Sequence, residues 1–262
     1  MLCKDIIRMI EDTYPKCAAL EWDNIGLLVG RTEKEVKKIY IALDATDDVI
    51  DDAVANGADM LLTHHPLIFE PLKQITDENF IGNRVVKLLQ HDISYYAMHT
   101  NYDVLKMADL SANMLGLSGT EVLEVTDCGG GTEFEQGIGK VGMLPKQMTL
   151  EECCEFVKKT FGLESVKAYG NPKQSVHRVA ISPGSGKGMS NLALEKNADV
   201  FITADISYHE AIDAVSKGIA IMDAGHYGLE HIYIEDMASY LRQILEAVDV
   251  ATAEIKHPYF VI

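Results

Sequence analysis

Basic charge, paired cysteines and long apolar runs are all scarce in this chain of 262 residues. Lysine and arginine total 23 against 40 aspartates and glutamates, for a formal charge of −17. That balance argues against a broad nucleic-acid or anionic-membrane surface. It leaves room for a small anionic substrate, because bound metals override the global field inside a cleft. The five cysteines (Cys3, Cys17, Cys128, Cys153 and Cys154) are odd in number and form no C-x-x-C pair. They are neither a disulfide framework nor a zinc knuckle. Cys153-Cys154 falls in a predicted helix, where buried thiols pack as small apolar groups. No run reaches the roughly 18 apolar residues that cross a membrane. Lys4, Asp5 and Arg8 break the first apolar stretch, and no small-residue cleavage site follows, so a soluble, cytoplasmic protein is expected.

What is present is an alternation of helical and strand patterns. Ile6, Ile7, Met9 and Ile10 have helical spacing over Lys4 to Tyr14, and Pro15 stops it. Val36 to Leu43 reads as a strand, and Asp47 to Asn56 as a helix closed by Asn56-Gly57. Met60 to Thr63 reads as a short buried strand, Asn83 to Gln90 as a helix and Ile93 to Met98 as another strand. Glu121 to Gln147 is glycine-rich and reads as β-structure. Thr149-Leu-Glu-Glu152 is a capping box opening a helix towards Phe161. Ile234 to Val248 reads as an amphipathic closing helix.

The second half repeats the plan of the first. A strand at Val179 to Ile181, a glycine turn and a helix at Met189 to Lys196 precede a strand at Ala198 to Thr203. That strand aligns without gaps on Ala58 to Thr63, about 140 residues earlier. Ile219 to Asp223 then precedes His226 as Ile93 to Met98 precedes His99. The expectation is an α/β fold of two similar lobes, residues 1–120 and 121–262, arising by internal duplication. Such units place ligand sites at the carboxyl ends of parallel strands.

The chemistry sits at those strand ends. His64-His65 closes the run Ala58-Asp-Met-Leu-Leu-Thr-His-His-Pro66, and tandem imidazoles there read as metal ligands. Adjacent strand side chains point to opposite faces, but a turn at Pro66 lets both serve neighbouring ions. His99 and Asp103, and likewise His226 and Glu230, each set a carboxylate four residues after a histidine. Neutral imidazole with carboxylate is the donor set of catalytic divalent-metal sites. His64, His65, Asp103, His226 and Glu230 exceed what one catalytic ion takes and suit a pair of ions sharing one carboxylate. Gly225, just before His226, lets the backbone approach closely. His99 is left as a ligand, a general acid/base or an orienting residue, and His209 as a residue lining the site. His91, His177, His231 and His257 read as structural.

Two glycine patterns are decoys. Gly137-Ile-Gly-Lys-Val-Gly142 fits G-x-G-x-x-G, but Met143-Leu-Pro145 follows where a dinucleotide fingerprint needs a helix. Gly184-Ser-Gly-Lys-Gly188 has Ile181 where the first Walker glycine belongs and Gly188 where Ser or Thr belongs. It remains a strand-to-helix turn that can bring amides near the cleft.

Taken together, Trp22-Asp-Asn-Ile-Gly26, Leu62-Thr-His-His-Pro66, His99-Thr-Asn-Tyr-Asp103, Gly137-Ile-Gly-Lys-Val-Gly142 and Asp223-Ala-Gly-His-Tyr-Gly-Leu-Glu230 resemble the NIF three-like family. Its members often carry the name GTP cyclohydrolase I type 2 homologue. The likeness covers nearly the whole chain. It implies two similar α/β lobes flanking a dinuclear metal cleft, in a short form without an inserted domain, and a toroidal homohexamer. It carries the ligand role onto His64, His65, Asp103, His226 and Glu230. Lys140 and Ala204 depart from the arginine and glycine common at those places.

The implied cofactor is two divalent ions per chain, from among zinc, iron, manganese, cobalt and nickel. Two such ions outweigh the charge of Asp103 and Glu230 and so favour an anionic substrate. A metal-dependent hydrolase acting on a nucleotide or phosphoester is expected, with His99 and Glu230 as catalytic groups. A non-catalytic metal-binding, metal-trafficking or regulatory protein is the alternative.

Overall fold

A computed structural model describes residues 1–126 and 135–262. Cys128 lies outside the described residues. The chain divides into two compact units, each drawing on two stretches of sequence. Residues 1–102 and 231–255 make the first, and residues 103–230 and 256–262 the second.

The first unit contains helix α1 (Cys3–Thr13), strand β1 (Gly26–Val29), strand β2 (Lys38–Ala42), helix α2 (Asp47–Ala55) and strand β3 (Met60–Thr63). Helix α3 (Phe80–Gln90), strand β4 (Ser94–Ala97) and the single turn α4 (Thr100–Tyr102) follow. Helix α10 (Ile232–Ile244) and strand β11 (Asp249–Thr252) return from the far end of the chain. The sheet order is β1-β4-β3-β2-β11, parallel except for β1, which runs antiparallel to β4. β3 and β4 are buried along their whole length, as strands covered on two faces are, with Thr63 and Ser94 the polar residues at one end of each. Thr46 caps α2 by accepting from the Val49 amide at 3.3 Å, and Asn79 caps α3 through the Gly82 amide at 2.8 Å. The core gathers Tyr40, Ile50, Leu61, Val85, Leu88 and Tyr95.

Register decides where the side chains emerge. Ala42 pairs with Thr63, and Thr63 with Ala97. The three parallel strands therefore end level. Whatever follows them in sequence emerges side by side at one sheet edge.

The second unit opens with a five-residue π-helical stretch, Asp103–Met107, that leads into α5 (Ala108–Met114). Long antiparallel strands β5 (Ser118–Val125) and β6 (Gly137–Thr149) follow, then α6 (Leu150–Phe161), β7 (Lys167–Tyr169) and β8 (Ser175–Ser185). Next come α7 (Ser190–Glu195), β9 (Val200–Ala204), α8 (Tyr208–Lys217), β10 (Ala220–Asp223) and α9 (His226–Glu230). The order is β5-β6-β8-β9-β10-β7, with β8, β9 and β10 parallel. Ser185 pairs with Ala204, and Thr203 with Asp223, so these three strands also end together. Val141, Ala180, Ala193, Phe201, Ala211 and Ile221 form the core. The capping box on α6 is complete: the Thr149 amide donates to Glu152 at 2.7 Å and the Glu152 amide to Thr149 at 3.2 Å. Gly162 ends that helix in the left-handed region.

Most expected elements are present within a few residues of their expected ends. The closing helix stops earlier than expected, at Ile244, because residues 249–252 turn into β11 beside β2. The G-x-G-x-x-G stretch lies inside β6, with Gly139 at φ 72°, and strand continues after it to Thr149 where a dinucleotide fingerprint needs a helix. Cys153 is fully buried in α6, and burial pushes its thiol up to about 12, in keeping with a packing role.

Phe201 is completely buried in β9, whereas Leu89 is exposed on α3. Replacing Phe201 by Ala is expected to cost about 3–5 kcal/mol. Leu89→Ala is expected to stay within about 0.5 kcal/mol. Urea denaturation midpoints of the two variants check this; equal midpoints contradict the assigned core.

Candidate metal centre

In the first unit, β3 delivers His64 and His65 into a tightly tied bend. The His65 amide donates to the Leu43 carbonyl at 3.0 Å. The His65 carbonyl accepts from the Thr63 hydroxyl at 2.7 Å and the Tyr95 hydroxyl at 2.9 Å. Tyr95 also accepts from the Leu67 amide at 2.8 Å. Burial raises the Tyr95 pKa, so it remains a neutral clamp. The bend turns both imidazoles to the same side, with ring centroids 4.9 Å apart. β4 delivers His99 alongside, 5.2 Å from the His64 ring and 5.6 Å from the His65 ring. Each of the three offers a ring nitrogen within 4.8 Å of the others.

Each imidazole is held by its Nδ1. His64, fully buried, has the Met98 carbonyl at 3.0 Å from Nδ1. His65 has the Asp44 carboxylate at 2.7 Å, and His99 the Asp23 carboxylate at 2.9 Å. A carbonyl or carboxylate can only accept, so Nδ1 carries the proton and the lone pair of the neutral ring lies on Nε2. This tautomer is the one that metal-binding histidines use, with the other ring nitrogen donating to a carboxylate or carbonyl. Burial would raise the Asp23 pKa. The hydrogen bonds and charge of His99, with hydrogen bonds from the Thr100 hydroxyl and amide, overcome that and hold it at about 2.

In the second unit, β10 leads through Ala224-Gly225 into α9, which begins at His226 and ends at Glu230. One helical turn sets them on the same face, with Nε2 and Oε2 3.0 Å apart. Glu230 is only 2% exposed. The fourth imidazole shares the Nδ1 contact of the other three, with Asp205 Oδ2 2.7 Å from His226 Nδ1, but a second carboxylate, Glu230, faces its Nε2. Asp205 follows β9 with φ 55°, a conformation that aspartate tolerates better than most residues and that is often found at functional sites. Gly184, near the end of β8 at φ 77°, passes so close to the Glu230 carboxylate that a Cβ would collide with it. Asp103 opens the π-helical stretch, a rare geometry that is frequent at functional sites.

Of the residues expected from sequence, His64, His65 and His99 are brought together in the first unit, and His226 and Glu230 in the second. His209 is exposed on α8 against the Tyr208 ring and belongs to no ligand group among the described residues. Sequence reading missed the orienting acids Asp23, Asp44 and Asp205. Asp23 stands inside the Trp22-Asp-Asn motif and Asp205 directly after Ala204, which departs from the family's glycine; Asp44 carries no signal. The donor set fits a divalent ion: Nε2 atoms of imidazoles anchored at Nδ1, and carboxylate oxygens.

Fold and side chains thus define an α/β protein with a histidine and carboxylate group of metal-ligand chemistry. The chain belongs to the Duf34/NIF3 (NGG1p interacting factor 3) family, whose model matches residues 1–258. A Clostridium acetobutylicum protein named GTP cyclohydrolase 1 type 2 homolog is 35% identical over 95% of this chain and 92% of its own. The Clostridium perfringens protein of the same name is 33% identical over 99% of both. Among solved structures, a Bacillus cereus protein related to NIF3 superposes with a TM-score of 0.94 at 27% identity, covering 100% of this chain and 99% of its own. Reduced HcgD from Methanocaldococcus jannaschii gives 0.81 at 32% identity, with 96% and 97% covered.

The protonation of His226 has a measurable consequence. Burial alone would lower its pKa, but hydrogen bonds and charge from Glu230 and Asp205 raise it to about 9. In metal-free protein the interaction is fully stabilising below the ordinary imidazole value of 6.5 and is lost as pH rises through about 9. A metal ion must displace that proton. Zinc or manganese affinity is expected to rise about tenfold per pH unit below pH 9, with proton release on binding. Asp205→Asn is expected to move the break to lower pH. Calorimetry in buffers of different ionisation enthalpy reads the protons; binding without proton release at pH 7 contradicts this account.

Proposed function

We propose that this protein is a dinuclear divalent-metal hydrolase acting on a nucleotide or phosphoester. The observation that carries the reading is the anchoring of four imidazoles through Nδ1, which leaves Nε2 as the ligating atom of each neutral ring; on His226 that atom first gives up the proton it shares with Glu230. His64, His65, Asp103, His226 and Glu230 are the proposed ligands. Glu230 is the proposed shared carboxylate, with His64 and Asp103 on one ion and His65 and His226 on the other. Zinc, iron, manganese, cobalt and nickel all suit these donors.

When bound, such ions supply Lewis acidity and make water a competent nucleophile near neutral pH. The protein's own part is positioning and proton transfer. Asp23, held ionised, fixes His99 with its lone pair on Nε2. His99 can therefore accept a proton there and return it to a leaving group. The names of the Clostridium relatives favour a purine nucleotide as substrate.

The shared plan of the parallel strands β2-β3-β4 and β8-β9-β10, each with helices between consecutive strands, supports descent of the two halves, 1–120 and 121–262, from one duplicated unit. We extend the reading to a homohexamer, as family resemblance suggests. No helix among the described residues is long and apolar enough to cross a membrane.

Elemental analysis of purified protein is expected to give about two ions per chain. Glu230→Ala is expected to lose most of that metal and to turn over nucleotides at least 100-fold more slowly while keeping its fold by circular dichroism. Undiminished turnover by metal-free Glu230→Ala sinks the hydrolase. Full metal occupancy with no turnover across nucleotides and phosphoesters moves the protein to metal storage or regulation. A monomeric mass by light scattering on the same samples contradicts the hexamer.

A further inference from the structure

Two large aromatic side chains stand in solvent beside His99. Trp22 is 57% exposed and Phe69 is 52% exposed. Their rings lie 5.7 Å apart, tilted by 48°. Trp22 also meets the His99 ring edge-on at 5.9 Å. Exposed tryptophan is costly to leave uncovered, and an aromatic pair on the surface calls for an occupant.

The pair is built into the site by the two residues that follow Trp22. Asp23 accepts from the Thr100 amide at 3.0 Å and the Thr100 hydroxyl at 2.6 Å, besides holding His99. The Leu20 amide donates to the Thr100 hydroxyl at 2.9 Å, which ties the chain on the other side of Trp22. Asn24 donates from Nδ2 to the Ile68 carbonyl at 2.6 Å, next to Phe69. The same short loop thus fixes Trp22 against His99 and binds the segment that carries Phe69. A loop serving only as a surface connection has no need of this network. Preorganised aromatic faces are what stack a planar ring with little entropic loss.

We propose that Trp22 and Phe69 form a stacking platform for the heteroaromatic ring of an anionic ligand. They are specificity residues that make the site a nucleotide site, not a general phosphoester site. The proposal rests on the reading of His99 and its neighbours as a functional site, and it names which part of the ligand the protein grips. Phosphate groups alone have no use for an aromatic face, whereas every nucleobase does.

Trp22 is the chain's single tryptophan, so its fluorescence reports directly on this position. The full-length protein is titrated with GTP, and in parallel with inorganic tripolyphosphate and ribose 5-phosphate, which lack a base. Saturable quenching by GTP alone is expected. Phe69→Ala is expected to weaken it roughly tenfold and Phe69→Tyr to restore it. Phe69 is exposed, so neither change should disturb folding; circular dichroism checks this. Absence of saturable quenching overturns the proposal, as does equal affinity in Phe69→Ala. A Trp22 already shielded from acrylamide in ligand-free protein also overturns it, since the pair is then covered by a second copy of the chain. Metal counts on the same protein keep this outcome separate from the hydrolase reading: normal metal without ring-dependent quenching removes the platform and leaves the metal centre standing.

Discussion

Everything proposed for this protein depends on one repeated interaction: an imidazole Nδ1–H donating to a fixed oxygen. A free histidine interconverts between tautomers and swings about two torsions. A carboxylate or carbonyl at 2.7–3.0 Å removes both freedoms and makes Nε2 the ligating atom of the neutral ring, on His226 once the proton shared with Glu230 has left. Four histidines from two units obey the same rule with four different acceptors, namely Met98, Asp44, Asp23 and Asp205. His91 has a different part: it is the C-terminal cap of α3, and its backbone amide donates to the Lys87 carbonyl at 3.1 Å.

The fold supplies that rule through register. Asp44 follows β2, His64 and His65 follow β3, and His99 follows β4; because the three strands end level, acceptors and imidazoles emerge as neighbours. The second unit does the same with Gly184 near the end of β8, Asp205 after β9 and His226 after β10. A one-residue slip in either sheet would invert every side chain along a strand and separate each histidine from its acceptor. The buried strands therefore do more than fill a core. Their burial on both faces pins the register that the site needs.

The strands and helices that frame the site were legible because their signals are local. Met60 to Thr63 is a continuous apolar run ending in polar residues, and Thr149 with Glu152 forms a capping box visible at four-residue range. The candidate ligands were legible for the same reason, as tandem His64-His65 and as two histidine-to-acid spacings. The orienting acids were not, since Asp44 and His65 are 21 residues apart and meet only through strand pairing. The π-helical stretch from Asp103 and the contact of Gly184 with Glu230 likewise depend on packing that no local pattern encodes. Short edge strands β1, β7 and β11 escaped because, unlike β3, they are only partly buried, and three or four such residues carry too little periodicity to distinguish strand from loop.

The central claim is that these imidazoles bind metal through Nε2 while Nδ1 stays on its protein acceptor. Crystals of the protein loaded with zinc or manganese, with anomalous-difference maps collected at the metal edge, test it most directly. The account predicts anomalous peaks within about 2.0–2.2 Å of Nε2 on His64, His65 and His226, with every Nδ1 contact intact. Peaks at Nδ1, imidazoles turned away from Asp44 and Asp205, or no peak in fully loaded crystals would contradict it.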